Sequence, residues 1–479
     1  MKLLVIDVGT SGVRAAVVTP EGGVGTNHHR EVLPSSPAPG LVEFDAAALA
    51  AAVLEVARTA LAADGPVDAV GIANQRASTV VWDRQTGEPV GPGLGWQDLR
   101  TVIECLTLAG QGIRVAPNAV ATKAAHLLDA ADPDRTRDLC VGTVDSWVAW
   151  TLSAGTVHVT DATNAALYGM RSVDQSDWDD RTLGALRIDR RYLPDVVDSI
   201  GVVGEARALD GAPPIAGILG DQQASLLGQG CVHPGQAKIT FGTGGMLDLC
   251  LDGRPSFATQ GGGGTFPIVT RAANGNRRWG IEAVMLAAGT NVEWLRDDLG
   301  IIADAADSHT VASRCESSDG VAYVPALLGL GTPTWDYGAR GALLGLTRGS
   351  GRPQIVRAVL EGIAQRAADL VEAAETDAGR SIPTLRVDGG MSANPTFLQA
   401  LADATARPVE VSPEREATTL GAAFAAGLAV GAWPDDDAIA ATWAPQQVVE
   451  PVGTFDRARW AEILHRAERW FPDLSAISF

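Results

Sequence analysis

The chain has 479 residues, with 37 Lys and Arg against 57 Asp and Glu and a net charge of −20. At roughly 150 residues per domain this length suggests two or three domains, and 46% hydrophobic with 20% charged residues is ordinary for packed cores. These values exclude a disordered tail protein, a small disulfide scaffold and a collagen-like rod, and an acidic chain without a basic run argues against nucleic-acid binding. Residues 3–6 (Leu-Leu-Val-Ile) predict a buried strand, followed by the turn Gly9-Thr10-Ser11-Gly12 and a second strand, Val13 to Val18. A strand–turn–strand unit is neither a P-loop nor a dinucleotide fingerprint, because both need a helix after the glycines. The pair His28-His29 has no third ligand nearby and predicts a solvent-exposed loop. Residues 45–63 predict an Ala-rich helix, Val67 to Ala73 a strand ending in Asn74-Gln75-Arg76, and residues 119–131 another helix. The five cysteines, Cys105, Cys140, Cys231, Cys250 and Cys315, form no C-x-x-C pair and predict reduced, mostly buried thiols in a cytoplasmic protein. The apolar stretch before Asp7 is too short for a signal peptide. Leu420 to Trp433 falls short of the roughly 20 apolar residues of a membrane span, so no span is expected.

In the middle of the chain, the strand Ala216 to Leu219 runs into Gly220-Asp221-Gln222-Gln223 and the helical segment Ala224 to Gln229. Ala237 to Phe241 is a strand, followed by Gly242-Thr243-Gly244-Gly245 and a returning strand, Met246 to Leu251. The segments VIDVGTSGVRAAVV and KITFGTGGMLDLCL share one plan: apolar strand, G-T-x-G turn, returning strand. This internal repeat predicts two related halves, divided near the Gly- and Pro-containing segment Cys231 to Gly235, at 1–232 and 233–479. The run Gly261 to Gly264 predicts a flexible surface loop. Pro353 to Ala378 is the clearest helix. The strand Leu385 to Val387, the turn Asp388-Gly389-Gly390 and the N-cap segment Ser392-Ala393-Asn394-Pro395 precede a helix over Thr396 to Ala406. Alternating strands and helices in both halves indicate α/β domains.

Three glycine turns at strand ends, Gly9 to Gly12, Gly242 to Gly245 and Gly389-Gly390, would let backbone N–H groups approach a phosphate without Cβ interference. Thr10, Ser11 and Thr243 add hydroxyl donors, and Arg14 adds a cation near the first turn. Asp7 ends a buried strand beside that turn, where a carboxylate can hold Mg²⁺ directly or through water, or simply bond to turn amides. Asp221, between a strand and a helix, fits either an N-cap or a general base that takes a proton from a substrate hydroxyl. Phosphoryl transfer needs such a base, a divalent metal and donors around the transferred group.

Together these motifs resemble the FGGY family of carbohydrate kinases, from about residue 3 to about residue 433. The segments that carry the resemblance are DVGTSGVRAAV, NQRASTVVWDRQTGEPV, GWQDLRT, GDQQASLLGQGCVHPGQAKITFGTGG, GALLGLTRGSGRPQIVRAVLE and RVDGGMSANPTFLQALAD. Within the family they are nearest to the glycerol kinases. The resemblance implies two actin-like (ribonuclease H-like) ATPase domains around a deep cleft, an ATP and Mg²⁺ requirement, and a small polyol or ketose acceptor. A homo-oligomer is compatible with it. Carried over by position, Asp221 matches the general base and Asp7 the metal-associated aspartate. Thr10, Ser11, Arg14, Gly242, Thr243, Gly390 and Asn394 match nucleotide-binding positions. Arg76, Trp96, Asp221 and Gln222 match the acceptor pocket. Three pocket positions depart from the glycerol kinases: Ala77 replaces a glutamate, Asn118 a tyrosine and Met246 an aromatic residue. Losing a carboxylate that holds a buried hydroxyl removes roughly 1.5–3 kcal/mol, and losing the aromatics widens the pocket. A larger polyol or an open-chain ketose is therefore expected over glycerol. The alternatives are a glycerol kinase with a rearranged pocket and a non-catalytic nucleotide-binding regulator on the same fold.

Overall fold

The structure, a computed structural model, describes residues 1–21, 23–414 and 416–477. In the first half a sheet is built from β1 (Leu3–Val8), β2 (Gly12–Thr19), β3 (Ala69–Asn74), β4 (Ile200–Glu205) and β5 (Pro214–Gly220), in the order β2-β1-β3-β5-β4. β1, β3 and β5 are parallel; β2 and β4 run against them. Every residue of β1 is buried, because helices cover both faces of a parallel sheet.

The second half repeats the plan. Its sheet contains β6 (Ala237–Phe241), β7 (Gly245–Cys250), β8 (Phe266–Ala273), β9 (Asn276–Met285), β10 (Leu385–Asp388), β11 (Val409–Val411) and β12 (Gln447–Val449), in the order β12-β11-β10-β6-β7-β9-β8. Here β6, β10 and β11 are parallel and β7 and β12 antiparallel to their neighbours. Both halves share an opening hairpin, two further parallel strands and one strand that runs against them, and the second half adds the antiparallel pair β8 and β9 beside its hairpin. The shared part is the repeat expected from the two G-T-x-G hairpins. Among the described residues a single pairing, Ile200 with Ala273, joins the sheets.

Helix α1 (Ala46–Asp64) buries Leu49, Val53, Val56, Ala57 and Ala60 against the first sheet, and the Asp45 carboxylate caps it by accepting the Ala47 and Ala48 N–H groups at 2.9 Å. It is the one described helix long and apolar enough to cross a membrane, but Leu49, Val53 and Val56 belong to the same core as Leu4 and Ile6 of β1. Helix α2 (Val120–Ala131) packs Val120, Ala124 and Leu128 into a separate core beneath Val81 and Val141, from a small four-stranded sheet. Helix α3 (Asp221–Gly228) leaves β5, and α4 (Arg352–Ala378) backs the second sheet through Val359, Ile363 and Leu370. Helix α5 (Pro395–Thr405) follows β10.

Helix α6 (Ala417–Val430) lies on the first sheet although it comes late in the chain. A Cβ on Gly71 of β3 would sit 2.4 Å from the Ala422 carbonyl, and one on Gly421 would sit 1.8 Å from the Ala224 carbonyl of α3. Reciprocally, a Cβ on Gly228 would lie 1.9 Å from the Ala417 carbonyl. These glycines let α3 and α6 touch backbone to backbone, which explains the small-residue composition of the 420–433 stretch.

Two expectations need correction. His28 and His29 are not in a loop: His28–Glu31 is a strand that covers the outer edge of β2, with His29 opposite Arg14, because an open edge is satisfied by pairing. The run Gly261 to Gly264 is tethered: the Asp377 carboxylate of α4 accepts Gly263 N–H at 2.6 Å and the Thr265 hydroxyl at 2.7 Å. All five cysteines are free, and only Cys315 is not fully buried.

Candidate active site

The predicted site residues gather at the carboxyl ends of the parallel strands. Val8, Asn74 and Gly220 are neighbours across β1, β3 and β5, so the Gly9–Gly12 turn, the Gln75-Arg76 segment and Asp221 leave the sheet along one edge. Hydrogen bonds join the first turn, the Gln75–Ser78 segment and Trp96 into a ring. Gln75 Nε2 donates to Gly9 O at 3.1 Å, and Ser78 Oγ donates to Gln75 Oε1 at 2.9 Å. Trp96 N donates to Ser78 Oγ at 3.0 Å, and Trp96 Nε1 reaches the Thr10 hydroxyl at 3.3 Å. A predicted acceptor residue is thereby tied to a predicted phosphate-loop residue. Ser11, at the tip of the turn, is exposed.

Asp7 and Arg14 face each other across the β1–β2 hairpin, with Arg14 Nη1 3.5 Å from both Asp7 Oδ2 and Glu416 Oε2. The Asp7 side chain is only 7% exposed. Burial pushes its carboxyl up to about 7, Arg14 opposes this, and the charges of Asp221 and Glu416 add to it. Among the described residues no group of three His, Cys, Asp or Glu could hold a metal alone. Mg²⁺ does not need one, since it is commonly held by one or two carboxylates plus substrate phosphates and water. A buried carboxylate short of positive charge, beside a phosphate-type turn, fits that donor set.

Asp221 is the first residue of α3. Gly220 occupies the cap position and receives no side-chain cap bond, so the N-cap alternative is not realised. Asp221 Oδ1 accepts Gln222 N–H at 2.8 Å and lies 3.3 Å from Arg76 Nε. The same guanidinium places Nη2 2.7 Å from Glu282 Oε2 on β9. Burial raises the Asp221 carboxyl above the usual carboxylate range, with Arg76 the chief opposing influence. Glu282 is raised by burial as well, and burial of Arg76 is outweighed by Glu282, Asp221 and Asp248, which hold it firmly protonated.

Behind these groups, Lys238, Asp248 and Glu282 stand opposite one another across β6, β7 and β9. Lys238 Nζ is 2.8 Å from Asp248 Oδ2, both side chains being fully buried, and donates to Gln222 Oε1 at 2.6 Å and Thr240 Oγ1 at 2.9 Å. Gln222 is thus oriented by an ion pair of the second sheet. Sequence reasoning missed Glu282, Lys238 and Asp248. The available signal was a lone charged residue inside each of the apolar strand segments GIEAVM, KITF and LDLC, which a buried strand tolerates only when the charge is paired.

On the second half, Thr240 is in register with Asp388, so the Gly242–Gly245 turn and Gly389-Gly390 emerge side by side. Gly389 has φ +87°, and a Cβ there would lie 2.4 Å from Phe241 O; only glycine fits. Thr243 O accepts Ala288 N–H at 2.8 Å and the Thr290 hydroxyl at 2.9 Å, fastening the turn to the helix Gly289–Asp297. Asn394 caps α5, with Oδ1 accepting Phe397 N–H at 3.1 Å and Nδ2 donating to Ser308 Oγ at 2.9 Å. Of the three departing positions, Ala77 is buried with φ 61°, Asn118 is exposed, and Met246 is half-buried on β7 opposite Val284. The structure therefore joins Arg76, Asp221 and Gln222 directly and links Trp96 to Thr10. Gly390 and Asn394 sit apart on the second half.

Comparisons with known proteins bear on the family and the fold. The model for the N-terminal domain of the FGGY family of carbohydrate kinases matches residues 2–228, and that for its C-terminal domain matches 237–430. A protein named glycerol kinase from Aromatoleum aromaticum is 41% identical over 98% of this chain and 99% of its own. Glycerol kinase 2 of Thermotoga maritima is 40% identical over 98% and 99%. The solved structure of Plasmodium falciparum glycerol kinase with ADP superposes with a TM-score of 0.88 at 25% identity, over 100% of this chain and 99% of that one. A xyloylose kinase from Brucella ovis shares the fold, with a TM-score of 0.85 at 24% identity over 100% of both chains.

Proposed function

The chain belongs to the FGGY family of carbohydrate kinases and transfers phosphate from ATP to a hydroxyl of a small polyol or ketose; we propose that Asp221 is the general base of this transfer. The observation that carries the proposal is the Arg76–Asp221 contact of 3.3 Å at the head of α3. One guanidinium there holds a half-buried carboxylate in fixed orientation and favours its ionised, proton-accepting form. Asp221 takes the proton from the attacking hydroxyl as the γ-phosphoryl group leaves ADP. Arg76, Trp96 and Gln222 orient the acceptor, Gln222 being aimed by Lys238.

Thr10, Ser11, Gly242 and Thr243 supply donors to the phosphates from the two hairpin turns. Arg14 adds a positive charge at the first turn, and Gly390 and Asn394 flank the nucleotide on the second half. Asp7 would hold Mg²⁺, directly or through water; when bound, the ion supplies charge neutralisation at the phosphate oxygens. The two halves, divided at 232/233, would close on the substrates and exclude water from the transferred phosphoryl group. Ala77, Asn118 and Met246 leave more room and fewer fixed hydrogen-bond partners than the glycerol-kinase pattern. The preferred acceptor is therefore a four- or five-carbon polyol or ketose. A reducing compartment such as the cytoplasm suits five free thiols.

Asp221→Asn tests the base assignment. Turnover should fall by roughly 10²–10⁴-fold while MgATP still binds, as followed by its protection against thermal unfolding. Near-normal turnover would remove Asp221 from this role.

A further inference from the structure

We propose that Lys123 is a positioning residue for the acceptor pocket, its ammonium clamping together the three chain segments that carry Arg76, Trp96 and Asn118. The inference rests on the acceptor-pocket reading above. Lys123 projects from the first turn of α2 and is 0% exposed. Its Nζ donates to three backbone carbonyls: Asn118 O at 2.9 Å, Gly95 O at 3.1 Å and Ala77 O at 3.2 Å. Each carbonyl belongs to an acceptor-pocket residue or to its neighbour in the chain. Gly95 precedes Trp96, Ala77 follows Arg76, and Asn118 is itself a pocket position. No described carboxylate lies within ion-pairing distance of Lys123.

A buried ammonium without a carboxylate partner is costly, and a methionine would fill the same space without that cost. The three carbonyls are therefore the reason for the lysine. Ala77 sharpens the argument. Its φ of 61° lies in the left-handed region that alanine rarely occupies, and such strain persists only where surroundings impose it. The carbonyl of this strained residue is one of the three that Lys123 holds. The turn at Ala77 in turn sets where Arg76 starts, and Arg76 must reach both Asp221 and Glu282. Burial pushes the Lys123 ammonium down to about 7, with Asp98 and Cys105 as the ionisable groups whose charges oppose this.

The experiment compares steady-state constants of Lys123→Met, Lys123→Gln and Trp96→Ala, using the best acceptor of a polyol and ketose panel. Lys123→Met should raise the acceptor KM at least tenfold and leave the ATP KM within twofold. Lys123→Gln, whose amide can serve two of the three carbonyls, should fall between that variant and the parent; it also provides the test if Lys123→Met does not fold. In the unmodified enzyme the acceptor KM should climb as pH rises through about 7. An unchanged acceptor KM in the folded lysine variants, an equal rise in both KM values, or a flat acceptor KM from about pH 6 to 9 in the unmodified enzyme overturns the clamp. If Trp96→Ala raises the acceptor KM and the lysine variants do not, the pocket stands and the clamp falls. If neither moves it, the pocket reading itself fails.

Discussion

Glu282→Gln keeps the shape of a side chain that touches Arg76 and removes its charge. At 2.7 Å and an effective dielectric of about 20, the pair's Coulomb energy is of order 6 kcal/mol, most of it offset by the desolvation that raises the Glu282 pKa. Removing one partner of a buried pair costs about 3–5 kcal/mol when the other is stranded. Arg76 is not stranded, because Asp221 remains at 3.3 Å and the glutamine oxygen can still accept. A stability loss of about 1–3 kcal/mol is therefore expected. The functional consequence has a definite sign. Arg76 divides its charge between Glu282 and Asp221, and with Glu282 neutral all of it acts on Asp221. The Asp221 carboxyl then ionises more readily, and the acid limb of kcat/KM for the acceptor moves to lower pH. Arg76→Met removes the main influence holding Asp221 down, so the same limb moves to higher pH, below a plateau lowered by the lost acceptor contact. The assay is ADP release coupled to a spectrophotometric readout, from about pH 5 to 9, for the parent and both variants. Limbs that shift in the same direction, or do not shift, refute the shared-guanidinium account.

Asp7→Asn should raise the Mg²⁺ concentration needed for half-maximal activity by roughly 10–100-fold if the carboxylate acts through water, measured by metal titration at fixed ATP; an unchanged midpoint removes Asp7 from the metal site. Gly421→Ala would press a Cβ into the Ala224 carbonyl at 1.8 Å, and overpacking of this kind costs about 1–3 kcal/mol, read as a lower thermal midpoint. Gly421→Ala with Gly228→Ala should be less than additive, because one separation of α3 and α6 relieves both clashes. Lys123→Met should not destabilise near pH 6. The folded-state pKa is lowered from 10.5 to about 7, so between these values the unfolded chain holds a proton that the folded one has released. Stability contributed by this group therefore rises with pH across that window, and its burial penalty is full below about 7. The unmodified protein should gain thermal stability between about pH 7 and 10 relative to Lys123→Met, and equal pH dependence of the two midpoints would contradict the buried-ammonium assignment.

The frame of the molecule was legible because its signals are local. Each G-T-x-G turn sits between two apolar runs, so β1–β2 and β6–β7 could be read as hairpins, and their likeness gave the duplication. Asp221 was visible because a carboxylate directly after a strand and before a helix has few structural duties, and its N-cap alternative disappears once Gly220 takes the cap. What stayed hidden depends on long-range pairing. Glu282 looks like one polar residue in an apolar strand until β9 brings it to Arg76. Lys123 looks like a polar residue in the apolar helix segment AVATKAAHLL until folding sets three distant carbonyls around it. His28-His29 was misread because nothing local says that β2 needs a partner on its outer edge. The tether of Gly261 to Gly264 likewise rests on Asp377, more than a hundred residues away in sequence.

The most direct test of the central claim is ATP-dependent ADP release by the purified enzyme across glycerol, dihydroxyacetone, tetritols, pentitols, tetruloses and pentuloses, each with Asp221→Asn alongside. The account predicts little ADP release without acceptor, strong release with one four- or five-carbon polyol or ketose, weaker release with glycerol, and loss of the response in Asp221→Asn. Glycerol above all other acceptors would contradict the pocket argument from Ala77, Asn118 and Met246. ADP release that ignores the acceptor, or persists in Asp221→Asn, would contradict the mechanism itself.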